Sequence, residues 1–346
     1  IRAFSNNERV GEPIALAASC ARGMLVPAEG KRMLVSDLSA IEGRVLAALA
    51  GEKSIIQAYI DADNGAPDVY KKTVSDIIGV PPDEVEKKLR NEIGKPTDLG
   101  LGFGGGIGAF ETMAAIYGTD IAAYFDKLPR EYLERAKSTL EWREIIEPRE
   151  GFCDLWYEEL KAVCAQAVVH RYRDMRPNTV AFWRAVENAF ENAMDNPGGI
   201  LGAGVHINGR HAVEFTYRRA KNGGPDYVLA KLPSGRYLSY PSPGKDRDGL
   251  FYYDSGLRQK TYGGKLTENI VQAVARDLMA GAMLDAEADE LLEVLFTIHD
   301  EIVCEADLDV QLERLNEKLE KIPGWFEQFG VPLAAEGFVT DRFKKD

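Results

Sequence analysis

The residues best able to do chemistry in this chain are carboxylates set in apolar surroundings. The stretch 295–305, LFTIHDEIVCE, is an apolar, β-rich run interrupted by His299, Asp300 and Glu301. Leu295, Phe296 and Ile298 before the interruption, and Ile302 and Val303 after it, predict two short buried strands, which puts the polar triplet on the tight turn of a hairpin. Carboxylates held side by side on rigid backbone repel each other unless a cation sits beside them, so a divalent-metal site is one reading. A solvated acidic turn is the other, since Asp is common in turns. A second carboxylate far upstream changes the balance. In 32–51, RMLVSDLSAIEGRVLAALAG, a strand over 33–35 ends at Asp37 and a helix follows over 41–50. If the two strands are neighbours, Asp37 and Asp300 can share a pair of metal ions.

Those carboxylates need a frame. From Ser54 to about Gly198 the apolar residues recur with helical period, and Pro81-Pro82, Pro129, Pro148 and Pro177 cut the run into several helices. Trp142, Trp156 and Trp183 fall in these helices and read as core. From Gly198 to Gly264 the texture changes to short strands with turn signals at Asn208-Gly209, Asn222-Gly223-Gly224 and Pro233-Ser234-Gly235, so hairpins are expected. Helices are expected over 267–282 and 308–319, with a strand-like end at Phe338 and Val339. In the first of these helices Asn269, Gln272 and Arg276 share a polar face opposite Ile270, Val274 and Leu278. The expected fold class is α+β, an antiparallel sheet backed by helices, with a large helical insertion between Asp37 and Asp300.

A chain of 346 residues can bury one large or two modest cores. Cys20, Cys153, Cys164 and Cys304 show no CxxC pairing, which suits a reducing compartment and argues against a zinc module. No apolar run approaches roughly 18 residues and no signal-peptide pattern opens the chain, so a cytoplasmic protein without a membrane partner is expected. The formal charge of −13 runs against a nucleic-acid partner, because phosphate contacts need Lys and Arg. Basic residues nevertheless cluster at 170–176, 216–221 and 244–249, while acid concentrates at 285–293. The local field can be positive where the net charge is not.

Asp37 with Ser39, Ile41, Glu42 and Arg44, then GKPTDLGLGFGGG at 94–106, then His299-Asp300-Glu301, resemble in that order the three polymerase motifs of family A (Pol I-like) DNA polymerases. LPSGRYLSY at 232–240 and TYGGKLTENIVQAVARDLM at 261–279 are similar to the bacteriophage branch. The resemblance runs from about Ala17 to Glu305. It implies a palm formed by 1–53 and 199–346, with a hairpin insert at 199–264 and a catalytic hairpin at 295–305, and helical fingers at 54–198. The thumb and exonuclease that such enzymes carry upstream do not fit in the residues before Asp37. The chain, which begins with Ile1, therefore reads as trimmed.

The implied reaction is template-directed addition of dNTPs to a primer 3′-hydroxyl with release of pyrophosphate. It uses two Mg²⁺ ions about 3.5–4 Å apart, with Mn²⁺ as an alternative. By resemblance Asp37 and Asp300 bridge the ions, the Leu38 carbonyl adds a ligand, Glu301 stands behind them and His299 orients the primer terminus. Ser39, Ile41 and Glu42 line the dNTP site, Glu42 as the gate that excludes a ribose 2′-hydroxyl; a glutamate favoured by the helix dipole is the plainer reading of the last. Lys95 meets the triphosphate together with Arg90 and protonates the leaving pyrophosphate. Leu99 and Phe103, four and eight residues further along the helix, would follow on a similar face, Leu99 beside the nascent pair and Phe103 in the place of a tyrosine. Gln272, with Asn269 and Arg276, would test base-pair geometry through minor-groove acceptors, which every pair presents. Tyr262, Lys265 and Arg22 would touch template or primer backbone. The implied partners are primer-template DNA, dNTPs and accessory replication proteins in an infected bacterial host.

Two departures from the family pattern carry predictions. Arg90 lies five residues before Lys95, where relatives have an arginine four before it, and five residues turn a helix by about 500°. Pro96 also disfavours helical geometry at Lys95. A kink or bulge at 93–96 is therefore expected to absorb the extra residue and swing Arg90 back. Tyr70, in DVYKK, stands where the family often has a phosphate-binding histidine. Two other readings remain at this stage. A two-metal nuclease leaves Lys95 and Glu42 without a purpose; a catalytically weak or inactive polymerase-like DNA-binding fragment is opposed by intact Asp37, Asp300 and Lys95 and favoured by the missing thumb.

Overall fold

The computed structural model describes residues 22–220 and 224–343. The chain opens with β1 (Lys31–Leu38), α1 (Ile41–Ala50), α2 (Lys53–Asp63), α3 (Val69–Ile78), α4 (Lys95–Leu101), α5 (Ile107–Ile116), α6 (Arg130–Trp142), α7 (Tyr157–Met175) and α8 (Pro177–Asp195). Seven strands follow: β2 (Leu201–Ile207), β3 (Arg210–Arg218), β4 (Tyr227–Lys231), β5 (Tyr237–Pro241), β6 (Gly244–Asp246), β7 (Gly249–Asp254) and β8 (Leu257–Thr261). It ends with α9 (Gly263–Glu287), β9 (Glu293–Ile298), β10 (Glu301–Asp307), α10 (Glu313–Glu320) and β11 (Ala335–Thr340). These elements divide into two compact units.

One unit comprises the described residues up to Ile41, together with Ala275–Pro323 and the chain from Leu333 onward. Its sheet is antiparallel in the order β11-β1-β10-β9. A central strand is covered on both faces and so reads as an unbroken apolar run, as Met33, Leu34 and Val35 do, each at most 1 % exposed. Strand alternation sends Met33 and Val35 to one face, where they cluster with Val303 and Phe343 under Phe296, Ile298 and Phe338. It sends Ser36 to the other face, where its hydroxyl donates to Asn316 of α10 at 2.7 Å. Leu315 and Leu319, one turn apart on α10, are buried where that helix covers β1 and β11. The helix expected over 308–319 starts later, at Glu313, because the chain leaves β10 through a turn in which the Val310 N–H donates to the Asp307 carbonyl at 3.1 Å.

The other unit, Glu42–Val274 with Gly324–Pro332, holds the helices α2 to α8 and two further antiparallel sheets, β2-β3-β4-β5 and β6-β7-β8. Its core draws Val74 and Ile77 of α3, Leu101, Phe110, Leu133, Ala136 and Leu140, and the inner face of α7 into one cluster. Asn208 and Gly209 both have positive φ, 51° and 81°, and close a two-residue hairpin across the Ile207–Arg210 pair; this is the turn that Asn-Gly favours. Gly235, at φ 89°, serves the turn between β4 and β5. Of the Asn222-Gly223-Gly224 signal, the first two residues lie outside the described residues. Trp183 is buried and its indole donates to the Gly102 carbonyl at 3.0 Å. Trp142 and Trp156 depart from the expected core placement and are exposed. They end α6 and precede α7 respectively, where no neighbouring turn packs over the ring.

Candidate active site

Asp37 comes to Asp300 through backbone pairing. β1 and β10 run antiparallel in a register that sets Asp37 opposite Glu301, and the Leu38 N–H donates to the Asp300 carbonyl at 3.2 Å. On the other edge of β1, Asp37 lies opposite Glu336 of β11. His299 and Asp300 form the two-residue turn between Ile298 and Glu301, so Glu301 is already the first residue of β10 rather than part of the turn. His299 takes φ 53°, a left-handed conformation that costs a non-glycine residue about 1–2 kcal/mol, and its side chain is exposed at the tip. Burial and the nearby Asp300, Glu336 and Glu301, in that order, push the Asp37 carboxyl up to about 6. The sheet thus forces acids together and raises the cost of ionising the central one.

A cation would relieve that cost, and the donor set suits a hard one. Among the described residues no group of three or more His, Cys, Asp or Glu side chains meets at one point. The two aspartates therefore leave most of a coordination shell to backbone carbonyl, water and ligand oxygens, which is how Mg²⁺ is ordinarily held. Next to this site the chain turns sharply at Ala40, φ 51°, with the Ser39 N–H tied to the Ala334 carbonyl at 2.9 Å. Ile41 is buried and its side chain serves packing, while Glu42 lies in the first turn of α1. Arg44 is structural: its guanidinium donates to both Asp63 oxygens at 2.8 and 2.6 Å and to the Pro332 carbonyl at 3.0 Å, and it stacks on Tyr59.

In the helical unit, a helical turn at Lys87–Leu89 passes into a π-helical turn at Arg90–Gly94 and then into α4. A π-turn accommodates one residue more than an α-turn, so the surplus residue before Lys95 is absorbed here, slightly upstream of the expected 93–96. The rotation returns Arg90 to the side of Lys95: the Arg90 guanidinium lies 5.0 Å and the Lys95 ammonium 5.7 Å from the centre of the same Tyr70 ring. Asp68, which caps α3 by accepting from the Lys71 N–H at 3.0 Å, also pairs with Arg90. Lys95 itself is helical, φ −60° and ψ −51°, against the expectation from Pro96. The proline falls in the first turn of α4, where a missing N–H is tolerated.

Leu99 is 43 % exposed on α4, but Phe103 lies beyond the helix end at Leu101, so the two do not continue along one helical face. Gly104, at φ 77°, makes the exit, and the backbone packs so closely there that a Cβ on Gly264 would sit 2.0 Å from the Phe103 carbonyl oxygen. On α9, Gln272 and Arg276 are exposed and Asn269 half-buried; Tyr262 is exposed just before the helix and Lys265 half-buried within it. Arg22 opens a short 3₁₀ turn, and its side chain lies outside the described residues.

The profile described as DNA polymerase family A matches residues 13–146. Along nearly its whole length the chain is similar to the DNA polymerase of Bacillus phage SP02, 30 % identical over 343 residues and covering 94 % of this chain and 43 % of the phage protein. The likeness to DNA polymerase family A thus rests on residues 13–146 for the family model and on most of the chain for the phage relative. The fold is also similar to the solved polymerase domain of Pol1 from M. smegmatis, in complex with DNA primer-template and dNTP, with a TM-score of 0.55 at 18 % identity over 97 % of this chain and 44 % of that one. The chain spans less than half the length of these relatives.

Two groups near these residues escaped sequence reasoning. Glu336 adds to the charge around Asp37, yet only the strand-like end near it was readable, not the register that brings it there. Asp98, one turn beyond Lys95, is half-buried and accepts from the Thr73 hydroxyl at 2.8 Å. Burial lifts its carboxyl to about 6, opposed by Arg176 and by that hydrogen bond. Arg176 bonds the Thr73 hydroxyl and the Asp76 carboxylate, both at 3.0 Å, so α3, α4 and the start of α8 share one buried polar network. A single carboxylate three residues after the lysine was its only sequence signal.

Proposed function

We propose that this chain is the palm-and-fingers part of a template-directed DNA polymerase that adds dNTPs to a primer 3′-hydroxyl. The observation that carries the proposal is the pairing of β1 with β10, which brings Asp37 and Asp300 to adjoining strand ends with the Leu38 N–H on the Asp300 carbonyl. In this reading Asp37, Asp300 and the Leu38 carbonyl hold two Mg²⁺ ions, or Mn²⁺ in their place. When bound, the ions lower the pKa of the attacking hydroxyl and stabilise the charge that develops on the phosphoryl oxygens. The chain's own residues do the rest. Lys95, with Arg90, binds the triphosphate and gives a proton to the departing pyrophosphate. Glu42 fills the space a 2′-hydroxyl would need, with Ser39 beside it, and Leu99 offers an apolar surface to the nascent pair.

His299 at the exposed turn orients the primer end, and Glu301 stands behind the two aspartates. Gln272, Asn269 and Arg276 face the minor groove, while Tyr262, Lys265 and Arg22 touch backbone. The match of residues 13–146 to the family A model, and the primer-template and dNTP named with the M. smegmatis structure, support this assignment. The phage relative supports a bacterial host cytoplasm as its setting, and among the described residues no helix is long and apolar enough to cross a membrane.

Single-nucleotide extension of a labelled primer-template with Mg²⁺ tests the reading. Templated dNTP addition should be abolished by Asp300→Ala, and rNTP addition should rise in Glu42→Ala. Extension that survives Asp300→Ala would overturn the assignment of the metal site.

A further inference from the structure

The phenol of Tyr70 is mostly buried, with its ionisation raised to about 12 first by burial and then by the neighbouring Asp98 carboxylate. The ring carries the Arg90 guanidinium at 5.0 Å and the Lys95 ammonium at 5.7 Å. Among the described residues the Lys95 ammonium makes no ion pair or hydrogen bond, and Arg90 is tethered to Asp68 and Asn91. Two like charges converging on one site repel, and an aromatic face is an uncharged surface that attracts both. The packing that brings them there is tight: a Cβ on Gly94, the last residue of the π-turn, would lie 2.3 Å from the Tyr70 carbonyl oxygen and 3.2 Å from its Cβ. The π-turn therefore rests directly on Tyr70, and the residue immediately after the contact is Lys95.

We propose that Tyr70 is a positioning residue whose ring, rather than its hydroxyl, holds Arg90 and Lys95 together as a preassembled cationic clamp for a polyphosphate chain. This deepens the polymerase reading and rests on it for the identity of the natural ligand. The clamp itself can be tested without template, primer or catalysis.

The test is calorimetric titration of the chain with inorganic tripolyphosphate in a chelator-containing buffer, for wild type, Tyr70→Phe, Tyr70→Leu and Lys95→Ala. Two cation–ring contacts predict that Tyr70→Leu binds about 10-fold more weakly, and that Tyr70→Phe stays within about 2-fold of wild type. Lys95→Ala should lose at least as much as Tyr70→Leu. Circular dichroism and the melting midpoint check that Tyr70→Leu is folded. If it is not, Gly94→Ala, which leaves the tyrosine in place but forces the π-turn off it, should reproduce the weakened binding. Equal losses in Tyr70→Phe and Tyr70→Leu would assign the effect to the hydroxyl and overturn the proposal. So would wild-type affinity in Tyr70→Leu, or no binding by wild type. Each of these results leaves the extension assay with Asp300→Ala to be decided separately.

Discussion

Asp37 should weaken the metal-free protein, and the amount can be worked from its surroundings. In the folded chain it ionises near pH 6, against 3.8 for an isolated aspartate. Each pH unit of that gap is worth about 1.4 kcal/mol, so about 3 kcal/mol is the upper bound on the cost of holding it charged. The carboxyl is only half-buried, and solvent screening reduces the figure to about 1–2 kcal/mol. The sign follows from proton binding. Below pH ~4 the group is protonated in both states and costs nothing; between ~4 and ~6 the unfolded chain ionises first, so stability falls as pH rises; above ~6 the full cost applies. Asp37→Asn removes the charge with little change of shape. Urea unfolding in chelator should find this variant more stable than wild type by about 1–2 kcal/mol at pH 8 and nearly equal to it at pH 4. Saturating Mg²⁺ should stabilise wild type at pH 8 and leave the variant almost unmoved. A variant less stable than wild type at pH 8, or a gap that does not change with pH, would refute the idea that crowded carboxylates make this a cation site.

Arg176→Met should destabilise the helical unit by about 3–5 kcal/mol in urea melts, because the buried Asp76 and the half-buried Asp98 lose their common cation; a cost under about 1 kcal/mol would mean that water reaches the network. Gly264→Ala places a Cβ against the Phe103 carbonyl and should cost about 1–3 kcal/mol while slowing primer extension. Wild-type melting and extension would contradict the tight backbone contact. Burial, aided by Arg135, lowers His170 to about 4. The unfolded chain then takes up a proton below pH ~6.5 that the folded chain refuses, so stability should fall as pH drops from ~6.5 toward ~4. His170→Gln should flatten that slope, and identical slopes in the two proteins would exclude the histidine as its source.

Local signals carried a good part of this protein. The apolar runs on either side of His299-Asp300 determined a hairpin, because a β-rich run broken by polar residues has few other ways to fold, and Asn208-Gly209 determined another through its tolerance of positive φ. The ordered motifs around Asp37, Lys95 and Asp300 carried the resemblance to family A polymerases, which the family model matches over residues 13–146. The spacing between Arg90 and Lys95 even showed that the helix must be irregular, since residue count and helical period cannot be reconciled otherwise. Side-chain exposure was less legible. Trp142 and Trp156 look like core by composition, yet burial depends on which element lies across a helix end, and nothing covers them.

What only the tertiary structure decided is which distant groups share a field. Register across β11, β1 and β10 set Glu336 and Glu301 on either side of Asp37, although these residues lie far apart along the chain. The packing of the π-turn on α3 put Arg90 and Lys95 on one tyrosine, and the approach of α8 gave Asp98 its distant arginine. Residue type and spacing report what a chain can do within a few turns or strands. Electrostatic coupling depends on through-space distance and burial, which are properties of the packed chain and not of its order.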